Sequence, residues 1–313
     1  MDNTIETERL SVIVCSRNSK FADELKLNII ETAGVECEFI IINNEDNLPI
    51  SKIYNRGASA ASYPYLLFIH EDTKWLSNNW APVIISKLKQ QSTGAIGFAG
   101  SPLRHNLVSP YSWHTGFESK VCNYLQGNCG IDKVSENLKN IKLNRINHYP
   151  EQQFIPSVVL DGFAFFVRKE VWQRYPFDET VLTGFHGYDI DFTLTLTHFG
   201  LINYVCSDPK VRILHCSMGN FNKDWLETTI KLHEMKWSKW LPIDLSDENF
   251  NHNDTEKDIQ LCIFNLMKRA VKEPRIPRSK LKNIYVECFH GYHLDFKYKL
   301  KLFEKFIWYR LIN

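Results

Sequence analysis

Tyr65-Leu66-Leu67-Phe68-Ile69-His70-Glu71-Asp72 sets five apolar residues directly before three polar ones. An unbroken apolar run of strand length fits a strand buried on both faces, as in a parallel sheet covered by helices. The flanking segments agree. Upstream, residues 11–15 form another apolar run, and residues 20–32 place Phe21, Leu25, Ile29 and Ile30 at helical spacing before Gly34. Residues 39–42 are strand-like, and residues 49–61 suit a helix with proline near its first turn and Gly57 as its weak point. Downstream, residues 80–88 read as a helix and 95–98 as a strand. The alternation predicts β-α-β units: an α/β fold with a mostly parallel sheet flanked by helices.

At 313 residues, with 44% hydrophobic and 23% charged positions, the composition is globular and excludes wholesale disorder, collagen and coiled coil. No apolar run approaches the ~18 residues of a membrane-spanning helix. Residues 1–9 are polar and partly acidic, unlike a secretory leader, so a cytoplasmic protein is expected. Eight cysteines without a CxxC pair argue against a zinc ribbon or disulfide scaffold and for reduced, mostly buried thiols. A net charge of +1 hides an asymmetry, because residues 268–313 hold 12 Lys/Arg against 4 Asp/Glu. The basic charge lies in the tail.

Periodicity fades over residues 100–156, which predicts an irregular insertion beside a binding site. It returns in residues 157–167, broken by Asp161-Gly162, then in a short helix at 169–174, a turn at Phe177-Asp178-Glu179, and strands at 202–206 and 211–214. Beyond residue 245, helices at 259–271 and 297–312 flank a linker around Pro274 and Pro277. The expected division is 1–245 for the α/β domain and 246–313 for a helical, basic extension.

Open parallel sheets bind ligands beyond the carboxyl ends of their strands, which directs attention to Cys15-Ser16-Arg17-Asn18, Asn43-Asn44-Glu45 and His70-Glu71-Asp72. No GxGxxG follows the first strand and no GxxxxGK[ST] occurs, which disfavours a dinucleotide site and a P-loop. In extended geometry His70 and Asp72 share a side. A hard divalent cation bound with a diphosphate needs only one or two carboxylates. The alternative is an acidic strand exit that caps the next helix. Asp161 sits in a run too apolar to be solvated and needs partners; a strand-end Asp-Gly turn is the competing reading. Residues 190–196 alternate as a strand does, yet Phe192, Leu196 and Phe199 also fit a helical face. On a helix Asp189 and Asp191 point about 200° apart, so only one faces a site, and either is an N-cap candidate. His215, after a strand-like run, is weighed as a ligand against a structural role.

In this order, the segments resemble a family 2 glycosyltransferase of the GT-A fold, and within it the glycosyltransferase-2-like domain associated with streptomycin biosynthesis. The resemblance runs from about Ser11 to Trp240. It is carried by residues 11–18, Tyr54-Asn55-Arg56-Gly57, residues 65–72, residues 96–101, Leu160-Asp161-Gly162, and Phe177-Asp178-Glu179 followed by residues 184–191. It implies a Rossmann-like GT-A sheet and transfer of a sugar, with inversion, from a nucleotide-diphosphate donor to a glycan or lipid-linked acceptor in surface polysaccharide biosynthesis, aided by Mn²⁺ or Mg²⁺. Asp72 falls on the last acidic position of the DXD motif and, with His215, is expected to hold the metal; His70 replaces the first Asp. Ser16, Arg17, Asn44, Asn55, His70 and Glu71 are expected at the donor nucleotide, and Asp161, Gly162 and Asp191 on the acceptor side. Asp189 matches the general base of the family's Glu-Asp pair, with Tyr188 in place of the Glu. A carboxylate suits that role because it takes the acceptor hydroxyl's proton as attack proceeds.

Residues 296–310 mix basic and aromatic side chains as interfacial segments do, and three readings stand: contact with the inner face of a membrane, packing on the catalytic domain, or a homodimer. A sugar nucleotidyltransferase would carry a glycine- and arginine-rich loop after the first strand, where only Ser16-Arg17-Asn18 stands. A catalytically inactive nucleotide-sugar or glycan-binding module is the alternative on the same fold. Nucleic-acid binding is not expected, since no recognised module is present.

Overall fold

The computed structural model describes residues 8–109, 120–127, 142–146, 151–216, 223–246, 255–272, 278–291 and 295–312. The first half of the chain runs β1 (Arg9–Ser16), α1 (Ser19–Thr32), β2 (Glu36–Asn43), α2 (Ile50–Ala60), β3 (Tyr65–His70), β4 (Thr73–Trp75), α3 (Trp80–Leu88), β5 (Thr93–Gly97), β6 (Ala99–Ser101), β7 (Leu103–Arg104), β8 (Val121–Gln126) and β9 (Lys142–Ile146). The second runs β10 (Phe154–Ser157), β11 (Val159–Leu160), β12 (Ala164–Arg168), α4 (Lys169–Arg174), α5 (Tyr188–His198), β13 (Ile202–Cys206), β14 (Ile213–His215), α6 (Lys223–Met235), β15 (Ile243–Asp244), α7 (Thr255–Lys272), α8 (Arg278–Gly291) and α9 (Phe296–Ile312).

The central sheet has seven strands in the order β10-β13-β5-β12-β3-β1-β2. β2, β1 and β3 are parallel, as are β13 and β5; β12 runs antiparallel between β3 and β5. β3 and β12 are buried along almost their whole length, which is why both read as continuous apolar runs. Asn18 caps α1 by accepting from the Lys20 N–H (3.2 Å), and Gly34 takes the left-handed conformation after it (φ +78°). Gly57 is explained by packing: a Cβ there would strike the Ile13 side chain, so the glycine lets α2 lie close on β1.

The described part of residues 100–156 is more regular than its sequence suggests. It supplies β7, β8 and β9 and most of β6 and β10, and a second sheet forms in the order β11-β6-β8-β14-β4, with β9 against β8. Short strands with irregular polar content show no period of their own; pairing with β14 and β11 supplies the order. β4 leads into the stacked indoles of Trp75 and Trp80 (centroids 3.8 Å, 9°), which pack against Phe166. Truncating either indole is expected to cost about 3–5 kcal/mol.

Residues 188–198 are helical. The alternating threonines, which mimic a strand period, donate back to carbonyls four residues earlier: Thr193 to Asp189 (2.7 Å) and Thr195 to Asp191 (2.7 Å). A buried helix satisfies its polar positions internally.

Trp225, Leu226 and Ile230 of α6 form a separate small core with Ile263, Leu266 and Met267 of α7 and Leu302 of α9. α8 is a helix the sequence reading did not resolve, and the linker around Pro274 and Pro277 lies outside the described residues. Cys122, Cys206, Cys216 and Cys262 are buried. No helix among the described residues is long and apolar enough to cross a membrane.

Candidate active site

β3 delivers His70 to the end of the central sheet, and the chain turns at once into β4. Thr73 Oγ1 closes that turn by donating to the His70 carbonyl (2.8 Å), while the His70 N–H donates to the Phe163 carbonyl (2.8 Å). β14 runs antiparallel to β4 with His215 opposite Thr73, and the Cys216 N–H donates to the Asp72 carbonyl (2.9 Å). These pairings gather His70, Asp72 and His215, which offer one donor atom each, all within 4.8 Å of one another. His215 Nε2 stands 3.6 Å from Asp72 Oδ1. Ligands about 2.1 Å from a six-coordinate ion are roughly 3–4 Å apart, so the cluster fits a divalent cation after small side-chain adjustments. Burial, aided by His70, pushes the His215 pKa below the ordinary imidazole value against the pull of Asp72 and Asp161. The ring is therefore neutral near pH 7 with a lone pair to give. It lies flat on Phe163 (4.7 Å, 11°), which fixes its plane.

α5 begins at Tyr188 behind Gly187, whose positive φ (+80°) and close approach to Leu232 leave no place for a side chain. That entry aims Asp189 at the loop between β11 and β12, where its Oδ2 accepts from the Gly162 N–H (2.9 Å). In the same loop Asp161 Oδ1 accepts from the Phe163 N–H (3.1 Å), the Asp-Gly turn weighed from the sequence. Part of Asp189 is exposed, but the packing around its carboxylate and the charge of Asp161 raise its pKa to about 7. Backbone N–H groups of Ile190, Asp189 and Gly162 pull it partly back. Gly162 admits no Cβ: one there would collide with the Tyr188 hydroxyl and lie 2.9 Å from Asp189 Cβ.

The other sequence candidates are engaged in the scaffold. Glu71 accepts from Ser16 Oγ (2.6 Å) and from the N–H groups of Arg17 and Asn18 (3.1 Å each), so it pins the β1–α1 loop. Arg17 is exposed, donates to Asn47 Oδ1 (2.8 Å) and lies 4.2 Å over the Phe185 ring. Asn44 closes its own loop by exchanging hydrogen bonds with the Leu48 N–H (2.8 Å) and carbonyl (2.9 Å). Asn55 accepts from Trp172 Nε1 (3.0 Å) and the Phe177 N–H (3.1 Å), and donates to the Phe177 carbonyl (2.9 Å) and Glu179 (2.8 Å). Asp191 is buried against Lys236 Nζ (2.8 Å) and Trp237 Nε1 (2.9 Å), apart from the cation cluster in its bonding. Neither Asp189 nor Asp191 is the N-cap; Gly187 occupies that position.

Two residues that the sequence reading did not place here belong to the site. Phe163 carries the His215 ring and accepts from His70, but an aromatic in an apolar run reads as core. Tyr188 Oη donates to the Gly162 carbonyl (3.0 Å) and lies 2.8 Å from His70 Nε2. Its one sequence signal is the departure from Glu at that motif position.

Residues 11–235 match the model of a glycosyltransferase-like family. No curated protein sequence matches the chain. Among solved structures the chain is similar to GalNAc-T7 with UDP, GalNAc and Mn²⁺, at 10% identity and TM-score 0.51, covering 99% of this chain and 58% of that one. The chain thus spans little more than half the length of that structure. It is also similar to the mannosyltransferase PcManGT from Pyrobaculum calidifontis with GDP-Man and Mn²⁺ (8% identity, TM-score 0.43, 100% and 77% coverage). A mutant Drosophila galactosyltransferase 7 with manganese, UDP-Gal and xylobiose follows (14%, 0.39, 71% and 79%). At these identities the likeness is one of fold, and the fold is GT-A. The match over most of its length shows that the chain belongs to the glycosyltransferase-like family.

Proposed function

We propose that the chain transfers a sugar from a nucleoside diphosphate donor to a hydroxyl of a glycan or lipid-linked acceptor, with inversion at the anomeric carbon. The observation that carries this reading is the meeting of the His70–Asp72–His215 cluster with Asp189 around the Gly162 loop. His70, Asp72 and His215 would hold a divalent ion, which would supply positive charge for a departing diphosphate. Two imidazoles and one carboxylate suit Mn²⁺ better than Mg²⁺, which prefers oxygen ligands. Asp189 takes the acceptor proton: a pKa of about 7 leaves it substantially ionised at neutral pH and more basic than a solvated aspartate. Asp161 sustains that value, and the Gly162 N–H holds one carboxylate oxygen. Arg17, exposed beside Asn47 and Phe185, is the cation for the donor's nucleotide end.

The test is a panel of nucleotide sugars with Mn²⁺, read as release of nucleoside diphosphate. Turnover with at least one donor, lost in Asp72→Asn, is expected. Binding of nucleotide with no turnover across the panel would turn the reading to a non-catalytic binding module.

The acceptor class and a site of work at the cytoplasmic face of a membrane, within surface polysaccharide synthesis, draw on α9. Phe296, Leu300, Phe303 and Ile307 recur at spacings of four, three and four and are all exposed, Phe296 at 81%. Lys297, Lys299 and Lys301 accompany this stripe, while Leu302 turns inward to α7. An apolar stripe with lysines beside it suits the surface of an anionic bilayer. In this reading residues 1–245 form the transfer domain and 246–313 the docking extension. Flotation with anionic vesicles and not with zwitterionic ones is expected; a doubled mass in solution without flotation would assign the face to a homodimer.

A further inference from the structure

We propose that Tyr188 is a positioning residue for the cation site: it fixes the tautomer and ring orientation of His70 so that Nδ1 is the atom presented to the ion. The inference rests on the reading of His70, Asp72 and His215 as a cation site. A phenol has one proton to donate. At 3.0 Å that of Tyr188 goes to the Gly162 carbonyl, a buried acceptor. His70 Nε2, 2.8 Å from the same oxygen, is then the donor. With its proton on Nε2, a neutral His70 keeps its lone pair on Nδ1. The opposite assignment, with Tyr188 donating to His70, strips the Gly162 carbonyl of that proton.

Tyr188 is itself held rigidly. It is 5% exposed, meets Tyr54 edge-on (5.5 Å, 76°), and stands against Gly162 where no Cβ is tolerated. The chain Gly162 carbonyl, Tyr188 hydroxyl, His70 imidazole is therefore an orienting shell behind a ligand, the arrangement that secures histidines in metal sites. The two departures from the resembled motif, His70 and Tyr188, are thus in contact.

The experiment is a Mn²⁺ titration of the full chain by electron paramagnetic resonance, with wild type, Asp72→Asn, His70→Ala, Tyr188→Phe and the His70→Ala/Tyr188→Phe double variant. Tyr188→Phe is expected to weaken Mn²⁺ binding about 10–100-fold, and to add nothing in the His70→Ala background. Wild-type affinity in Tyr188→Phe, or the same loss in both backgrounds, overturns the proposal. Nitrogen-15 spectra of the metal-free wild type give a readout that needs no variant. The His70 ring proton is expected at Nε2, and a proton at Nδ1 with Nε2 bare overturns the proposal. A wild type that binds no Mn²⁺, or an Asp72→Asn variant that binds it equally well, refutes the cation site itself, a result distinct from failure of the Tyr188 assignment.

Discussion

Two groups of polar residues sit at strand ends of this sheet and fare differently. On the side of β1, β2 and α2, the side chains of Ser16, Asn44, Asn55 and Glu71 spend their hydrogen bonds on neighbouring loops. At the end of β3, the turn after it, the end of β14 and the start of α5 stand His70, Asp72, His215 and Asp189, with a lowered imidazole pKa at His215 and a raised carboxylate pKa at Asp189. On the proposed reading, the contrast separates scaffold from chemistry. Residues whose donors and acceptors are matched one for one hold loops in place, whereas carboxylates crowded together in a poorly solvated corner retain reactivity at a cost in stability.

The sharpest test of the contrast is Asp189→Asn. It is expected to lower kcat about 10²–10⁴-fold while leaving the affinity for nucleotide intact, measured by steady-state kinetics beside calorimetry. In the wild type, the base is protonated and idle below its pKa. The kcat should therefore rise tenfold per pH unit up to about 7 and level off above it. A profile flat from pH 5 to 8 would remove Asp189 from the proton transfer.

Asp191→Ala, two residues further along α5, is expected to act on folding instead. It leaves the buried Trp237 N–H without its acceptor and takes from Lys236 its nearer carboxylate, while Asp178 stays 3.5 Å away, so the loss should be about 1–3 kcal/mol in urea unfolding. Asn55→Ala follows at about 2 kcal/mol, the cost of leaving the Trp172 and Phe177 N–H groups without their acceptor. Neither should change Mn²⁺ affinity. A 10-fold weakening of Mn²⁺ by Asn55→Ala would place that residue in the site and blur the division.

Much of the scaffold was legible. The helices at 80–88 and 169–174 and the strand at 202–206 occur within the residues predicted, because each is a periodic apolar segment closed by turn residues. The second sheet was not legible, since β4, β6 and β11 are two or three residues long and owe their order to partners distant in the chain. The same limit governs the site. Asp72 and Asp189 stand out as polar residues beside apolar runs, but that Glu71 turns back to Ser16 and that Tyr188 meets His70 depends on pairing of β1 with β3 and on the entry of α5. Composition and spacing mark which residues lie at strand ends; which of them meet one another is decided by tertiary contacts.

The smallest expected effect reads the contrast in stability alone. The folded state raises the Asp189 pKa to about 7, above its ordinary value of 3.8, so between those values the folded chain binds its proton more tightly than the unfolded chain. This group's contribution is therefore complete below about pH 4 and lost as pH rises through about 7. Discounted for the part of the residue that water reaches, the loss is about 1–2 kcal/mol. Urea unfolding of wild type and Asp189→Asn at pH 5 and pH 8 isolates it, because asparagine has no proton to lose. The variant should gain on the wild type by up to that amount at pH 8 relative to pH 5. Equal differences at the two pH values would mean that Asp189 is solvated like a surface carboxylate, and its place among the reactive group would fall with that result.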